Sequence, residues 1–590
     1  MDDFYVLGMT LGRNATAALT HGGRILACAS EERFTRVKNV YGYPEKAVRF
    51  CLHQAGITPA ELNLVVLSSH ITPPLRQTDN GLREESRDDQ LFSWFTLLSH
   101  LRGQMGKIKS LEKAGYQSAA PLLAKMTHKR RVQILSSLLG VPKEKIVSSE
   151  HHLTHAYSAV FSSPFLQDPP ADDQILAVTV DGEGDMLSSN VGIFAPSTLN
   201  YQRIAKSSYA ESLGHFYSAV TSYLGMKTLE HEYKVMGLAP YSYTEQADRL
   251  YQKLREYIWV DDELRIRTRV HSHHFEDLFA TLFKGVRFDY VAAAAQKLVE
   301  VLLAELVKKA VQKTHISTVV LAGGVFMNVK ANYDILKLPE VKRLYVMPSC
   351  GDESLPVGSC YYGTWLHHKD LLKALPALSH VYLGPEYSRE YVEKTLRNSG
   401  FEYADYGGRI NVEVSRLLAE GYVVARFDGR MEFGARALGN RSILADASRI
   451  EVVEIINRMI KKRDFWMPFA PSILEEHAPA YIKHLELLQK IKPYFMMVTF
   501  ESTPLAQRDL KAAMHPYDKT LRPQLVNKQI NQRYYELLTY YMKRTGRYGL
   551  LNTSFNIHGE PIVCSPEDAL HTLKESGLEF LALGDFLVRK

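Results

Sequence analysis

The stretch Ser148-Ser149-Glu150-His151-His152-Leu153-Thr154-His155-Ala156 reads as a helix start, a Ser cap ahead of a run that continues Tyr157–Phe161. On a helix His151 and His155 lie four apart on one face, where two imidazoles can share a metal ion or simply serve packing. Asp181, in Asp181-Gly182-Glu183-Gly184-Asp185, and Asp352, in Cys350-Gly351-Asp352-Glu353-Ser354, each follow an apolar strand-like run. Two His with two Asp would make an octahedral site with positions open to substrate, suited to Fe(II), Mn(II) or Mg(II). The alternative for each Asp is a turn residue or a helix cap.

Other segments have the chemistry of anion binding. Val319–Ala322 is an apolar run that enters Gly323-Gly324 and then Val325-Phe326-Met327-Asn328. A glycine pair there lets backbone approach a nucleotide closely, or makes a plain tight turn ahead of a helix. Lys234, in Tyr233-Lys234-Val235-Met236-Gly237, either reaches a phosphate or is a surface charge. Toward the C-terminus come four clusters. Arg430, Arg436 and Arg441 stand among small residues; Lys461, Lys462 and Arg463 follow; Arg522 lies beside Thr520 and Gln524; Asn552-Thr553-Ser554 ends an apolar run. Guanidinium forks bind phosphate and carbonyl oxygens bidentately, although a single such arginine is as readily a surface ion pair.

Positioning these groups requires a particular scaffold. Phe4–Met9, Ala15–Leu19 and Arg24–Ala29 read as strands separated by turn residues, followed by a helix near 44–55 and a strand at Leu64–Ser68. The rhythm returns with strands at Ile175–Val180, Asn190–Phe194 and Arg203–Ser207, and Asp181–Asp185 as a turn. This predicts a duplicated α/β fold with a cleft between its halves. Residues 72–140 are polar with helical spacing at Leu91, Trp94, Leu97 and Leu101, an inserted helical hairpin. The expected boundary falls between a first domain, 1–375, and a second, 381–590.

Composition narrows the class. The chain has 590 residues, 46% hydrophobic and 23% charged, which excludes a disordered or fibrous protein. A net charge of +6 is too small to coat nucleic acid. Five scattered cysteines without C-x-x-C exclude a disulfide framework. The apolar stretch Val291–Val311 is interrupted by Gln, Lys and Glu, so it is an amphipathic helix and not a membrane span. No basic region precedes an apolar run at the start. A cytoplasmic enzyme without membrane or nucleic-acid partners is expected.

Taken together, these segments resemble the ATP-dependent O-carbamoyltransferases, the family of the tobramycin, cephamycin and nodulation-factor enzymes. The resemblance rests above all on Arg430–Leu444 and on Asn552–Val563, with Glu31–Arg36, His151–Ala156, Asp181–Gly184, Lys234–Tyr241, Leu321–Asn332, Gly351–Glu353, Met467–Ser472 and Thr520–Gln524 in family order. It implies an actin-like (ASKHA, TsaD-like) domain followed by a YrdC-like α/β domain. It further implies that carbamoyl phosphate and ATP, with Mg2+, form carbamoyl-adenylate in the second domain. The carbamoyl group then passes, in the first, to a hydroxyl of a small-molecule natural product such as an antibiotic.

The resemblance places metal ligands, for Fe2+ above Mn2+ or Mg2+, at His151, His155, Asp181 and Asp352. It places catalytic contacts at Arg436, Lys461, Arg522 and Ser554. Lys234, Gly323, Gly324, Asn328, Arg441 and Asn552 fall to nucleotide binding, and His152 is a candidate base. Arg13-Asn14, Ala435 and Met467 depart from the family pattern, which usually has His-Asp, Pro and Arg there. A homodimer is the default assembly. The rival readings are a fused tRNA threonylcarbamoyl-transfer enzyme, which would need a basic RNA-binding face, and a non-catalytic nucleotide-gated binding protein, which would not need the Arg, Asn and Ser clusters.

Overall fold

A computed structural model describes residues 3–71, 75–78, 81–84, 127–461 and 464–590, with the side chains of 75–78, 81–84 and Lys461 outside that description. The first half is a five-stranded sheet of β1 (Tyr5–Thr10), β2 (Thr16–His21), β3 (Arg24–Ser30), β4 (Leu64–Leu67) and β5 (Ile146–Ser148), in the order β3-β2-β1-β4-β5. The hairpin strands β1, β2 and β3 pair antiparallel, whereas β4 and β5 join parallel. The second half repeats this with β6 (Ile175–Gly184), β7 (Leu187–Ala195), β8 (Asn200–Ser208), β9 (Thr318–Ala322) and β10 (Arg343–Val346), ordered β8-β7-β6-β9-β10. Again the first three are antiparallel and the last two parallel. Two sheets of identical order in one chain are the duplicated actin-like fold. Strands β1 and β4 and the inner strands of the second sheet are almost wholly buried, so they read as continuous apolar runs.

Five helices matter for the site: α1 (His151–Ser162), α2 (Leu213–Tyr223), α3 (Phe288–Thr314), α4 (Val329–Lys337) and α5 (Leu355–Lys373). The long apolar stretch is α3, and its many Ala, Val and Leu residues are buried against neighbouring elements. Among the described residues no helix is long and apolar enough to cross a membrane. Helix α5 lies across both β1 and α1, and the contact with α1 is close because a Cβ at Gly358 would stand 2.0 Å from the Thr154 carbonyl oxygen.

Two sequence expectations change. Asp181–Asp185 is not a turn: β6 continues to Gly184 through a register irregularity after Val180, and the chain reverses at Asp185 and Met186, both with positive φ. The cap of α1 is Glu150 and not a serine. Its carboxylate accepts the N–H groups of His152 and Leu153, a stronger acceptor for the helix's unpaired donors and a favourable charge at its N-terminus. The expected helical hairpin around Leu91–Leu101 lies outside the described residues, which show only a helix over 127–139 and two short paired strands, Leu75–Thr78 and Gly81–Glu84.

The C-terminal part is built on an eight-stranded mixed sheet. Its strands are β11 (Glu402–Asp405), β12 (Val424–Phe427), β13 (Arg441–Ala445), β14 (Ala470–Leu474), β15 (Gln524–Val526), β16 (Gly549–Ser554), β17 (Phe580–Leu583) and β18 (Phe586–Arg589), ordered β11-β18-β17-β12-β13-β16-β14-β15.

Candidate active site

Helix α1 follows β5 closely, and its first two turns point His151 and His155 toward Asp181 on β6. Asp181 sits on that strand end, and Asp352 opens the turn ahead of α5, so the α1–α5 packing brings the fourth residue in. One donor atom from each of His151, His155, Asp181 and Asp352 lies within 4.8 Å of the others. His155 Nε2 is 2.9 Å from Asp181 Oδ2. His151 Nε2 is 3.6 Å from that oxygen and 3.7 Å from Asp352 Oδ1, and His155 Nε2 is also 3.7 Å from Asp352 Oδ1. Both imidazoles are buried, and Asp352 is the most open member, its side chain 35% exposed.

The donor set fits a cation on its own geometry. His151 Nε2 and Asp352 Oδ1 are buried without a hydrogen-bond partner. At 3.7 Å they are too far apart to bond each other, yet suitably spaced for two ligands about 2.0–2.2 Å from one ion. Electrostatics agree. Burial opposes charge on His151, but the neighbouring Asp181 and Asp352 carboxylates outweigh it and hold its pKa up at about 9. Burial likewise opposes charge on Asp181, and the two histidines overcome it and press that carboxyl well below its ordinary range. A cation in their midst would take over this role.

The surrounding backbone is shaped for close approach. A Cβ at Gly184 would lie 2.0 Å from the His151 ring, so only glycine lets the imidazole rest on β6. Gly323 has φ +97° and donates its N–H to the Cys350 carbonyl, and a Cβ there would meet the Val180 carbonyl oxygen at 2.3 Å. Gly324 stands against Asp181 itself, at 3.1 Å from Oδ1 to a built Cβ. The helix expected straight after this pair begins only at Val329, beyond a short 3-10 turn. Asn328 caps it, with Oδ1 accepting from Ala331 N and both amide atoms exchanging hydrogen bonds with Gln296.

Residue types alone gave no sign of Asp185. Its carboxylate accepts from the backbone of His151 at 2.8 Å, of Ile71 at 2.7 Å and of His70 at 3.0 Å, and from the Ser69 hydroxyl at 2.7 Å. It therefore ties the end of β4 to the first turn of α1 across the cleft. The only available signal is an acid on a glycine-rich reversal. His152, the sequence's base candidate, is fully buried with Nδ1 2.8 Å from Thr179 Oγ1. Burial first, then the neighbouring His151, push its pKa down to about 3, so it is neutral and out of a substrate's reach.

In the C-terminal sheet the strand order joins all four polar clusters. Residues Ser442 and Ser554 pair across β13 and β16, Ala470 pairs with Asn552, and Ser472 with Gln524. The entries to β13, β14 and β15 and the exit of β16 thus share one sheet edge, which carries Arg436, Met467, Arg522 and Ser554. Backbone at Ile460 joins them by accepting the His558 N–H at 3.2 Å. Arg436 and Arg522 are half-buried, and the Ser554 hydroxyl bonds Asn556 Oδ1 at 2.6 Å.

Arg441 and Asn552 lie in the same sheet but are turned to the protein. Arg441 is fully buried, donates to the carbonyls of Asp428, Gly429, Pro385 and Asn440, and stacks on Phe427 at 3.5 Å. Asn552 Nδ2 donates to the Ala437 carbonyl, Ser472 Oγ and Gln524 Oε1. These bonds hold the Arg436 loop, while Arg441 Nε and Asn552 Oδ1 are buried without a hydrogen-bond partner. Glu432 escaped notice in the sequence: its Oε1 accepts the N–H groups of Leu438, Asn440 and Arg441 at 2.7–3.1 Å and sets the loop's shape. Lys234, from the first domain, pairs with Asp464 of the second at 3.0 Å.

The chain thus joins an actin-like fold that carries a His2Asp2 cluster to an α/β sheet with arginines at one end of its strands. Residues 6–360 match the family described as Carbamoyltransferase N-terminus, and residues 415–590 match Carbamoyltransferase C-terminus; the chain belongs to the carbamoyltransferase family. It is similar along nearly its whole length to protein sll1178 of Synechocystis sp., 29% identical over 99% of this chain and 97% of that one. Nodulation protein NolNO of Sinorhizobium fredii is 30% identical over 98% of this chain and 79% of its own. Nodulation protein NolO of Bradyrhizobium diazoefficiens is 32% identical over 75% and 78% respectively.

Proposed function

We propose that this protein is an ATP-dependent O-carbamoyltransferase acting on a hydroxyl of a small-molecule natural product. Water displaces phosphate from carbamoyl phosphate to give carbamate, whose oxygen attacks the α-phosphorus of ATP and expels pyrophosphate. The acceptor hydroxyl then attacks the carbamoyl carbon, AMP leaves, and the hydroxyl proton passes to solvent. The observation that carries this reading is the meeting of His151, His155, Asp181 and Asp352 from separate elements of the cleft, in a chain whose second half gathers arginines on one sheet edge.

The division of labour follows from the chemistry of each part. Carbamate is a poor electrophile because its anionic oxygen feeds the carbonyl, so adenylation must come first. Joining two anions requires preorganised cations, which Arg436, Arg522 and Lys461 would provide in a YrdC-like domain spanning 381–590, with Ser554 as a hydrogen-bonding neighbour. Transfer belongs to residues 1–375. There the His2Asp2 set would hold a divalent ion, with Fe2+ favoured and Mn2+ or Mg2+ compatible, which when bound polarises an oxygen and lowers the pKa of a hydroxyl. Gly323 and Gly324 flank this centre, where the small residues leave room for a nucleotide, and Lys234 is a phosphate contact from the side of Asp464.

Acceptor binding has a place as well. A cavity of about 630 Å³ is lined by Arg13, Thr35, Lys38, Tyr41, Lys227 and Glu230, within the usual range for small-ligand sites. Arg13 in its lining lies three residues after Thr10, the last residue of β1, whose hydroxyl donates to the Asp352 carbonyl at 3.2 Å. Hydroxyl, amide and cationic groups there suit a polyhydroxylated molecule.

The test needs no acceptor. Protein incubated with ATP and a divalent metal, with and without carbamoyl phosphate, is analysed for nucleotides by mass spectrometry. Carbamoyl-AMP, or AMP with pyrophosphate, forming only with carbamoyl phosphate is the expected result. ADP and phosphate forming regardless of carbamoyl phosphate would overturn the reading.

A further inference from the structure

A second group of residues with metal-ligating side chains converges beside the first, one of them on the same strand. One donor atom each from Glu183, His215 and His273 comes within 4.8 Å of the others. Glu183 stands on β6 two residues past Asp181, His215 on the first turn of α2, and His273 on the short turn Ser272–His274. Three elements distant in sequence thus converge on one point.

The local hydrogen bonding prepares these rings as ligands. Ser272 Oγ donates to the Tyr209 carbonyl at 2.8 Å, which commits its proton. His215 Nδ1, 3.3 Å from that same hydroxyl, is therefore its donor, and Nε2 is the nitrogen with the lone pair. This is the arrangement by which proteins fix the tautomer of a metal-ligating histidine. Gly182 leaves room for the His215 ring beside β6, with Nε2 3.7 Å from a built Cβ at that glycine. The His273 ring stacks on His271 at 5.1 Å, and its backbone N–H donates to His271 Nδ1 at 3.2 Å, which orients the turn. The His215 and His273 ring centroids are 5.4 Å apart.

We propose that Glu183, His215 and His273 bind a second divalent transition-metal ion, Zn2+ being the best fit, separate from the His151, His155, Asp181 and Asp352 centre. One carboxylate and two imidazoles are the ligand set of three-coordinate protein sites that leave a fourth position open. His273 is exposed, so that position faces solvent and can take an oxygen of phosphate or of a hydroxyl. An ion there would also clamp the 271–274 turn onto the strand end that bears Asp181. None of this depends on which group the enzyme transfers.

The experiment is a metal count on tag-free, full-length protein, stripped with chelator, loaded with Zn2+, desalted and measured by mass spectrometry. Wild type should retain two ions per chain, His273→Ala one, His151→Ala one, and the double variant none. Co2+ loading gives an independent readout: His273→Gln and His215→Ala should each remove one component of the visible d–d absorption. A Zn2+ count in His273→Ala equal to that of wild type, with both proteins folded by circular dichroism, would overturn the site. The His151→Ala arm reports the transfer centre separately, so failure of one assignment is distinguishable from failure of the other.

Discussion

The hydroxyl of Ser349 accepts the backbone N–H of Ala435 at 3.0 Å and donates to Glu353, the residue after Asp352. The loop that carries a proposed metal ligand and the loop that carries Arg436 are therefore held by one side chain, across the junction of the two domains. Arg33 strengthens the link by donating to the Gly434 carbonyl at 2.7 Å, and Arg36 by donating to the carbonyls of Pro561 and Ile562, both at 2.7 Å. Two sites that share an intermediate gain from such rigid registration, since an activated carbamate is exposed to water in transit.

Gly434 tests that registration. It has φ +96°, and a Cβ there would lie 2.5 Å from Ser349 Cβ. Gly434→Val should force the loops apart and slow carbamoyl transfer by about 10–100-fold, the usual cost of misplacing reacting groups by about 1 Å. Pyrophosphate release dependent on carbamoyl phosphate should fall much less. Comparing the two rates in one preparation decides it, and equal losses would mean the contact serves folding alone.

The two half-reactions should separate by mutation. Arg522→Ala should abolish carbamoyl-adenylate formation, whereas His151→Ala should leave it intact and block transfer, so that the adenylate accumulates. Rapid-quench nucleotide analysis reads both. Loss of adenylate in a folded His151→Ala protein would sink the two-site scheme.

Asp352 is the most exposed member of the His2Asp2 set and the one brought in by packing rather than by strand or helix neighbours. Asp352→Asn should weaken retention of the transfer-centre ion by more than the roughly 10–100-fold cost of losing a group that merely orients a ligand. Equilibrium dialysis against buffered metal measures the change.

Glu432 should be as important to the second domain as any arginine. Glu432→Ala leaves three buried N–H groups without their acceptor, each worth about 1–3 kcal/mol. A lower denaturation midpoint together with loss of adenylate formation is expected, with metal content unchanged.

The domain junction should be acid-sensitive through Asp518, which pairs with Lys330 of α4. Burial raises its pKa, but His515 and Lys330 outweigh that and hold the carboxyl below its ordinary range. A carboxyl depressed in the folded state adds stability that is fully present above its unfolded value of about 3.9 and is lost as pH falls below it. Asp518→Asn should therefore cost about 1.5–3 kcal/mol near neutrality. The difference from wild type should shrink steadily as pH falls from about 4 toward 2, as read by unfolding curves across that range.

Local pattern carried much of this molecule. The apolar runs of β1, β4, β6 and β9 are legible because both of their faces are buried, and the four-residue spacing of His151 and His155 places both on one helix face whatever the fold. The residue types along 430–444 and 552–563 announce anion chemistry. What local pattern could not decide is which polar groups face a ligand. Arg436 and Arg441 look alike in the chain, yet one is half-buried at the sheet edge and the other is fully buried, with both terminal nitrogens donating to backbone carbonyls. Nor does a five-residue acid and glycine run reveal that β6 continues through it, so that Asp181 and Glu183 serve two clusters while Asp185 braces the cleft. Side-chain identity and periodicity are properties of neighbours in sequence. The meeting of Asp352 with α1, and of His273 with β6, depends on parallel strand pairing and helix packing between segments far apart in the chain, and only the folded structure supplies those.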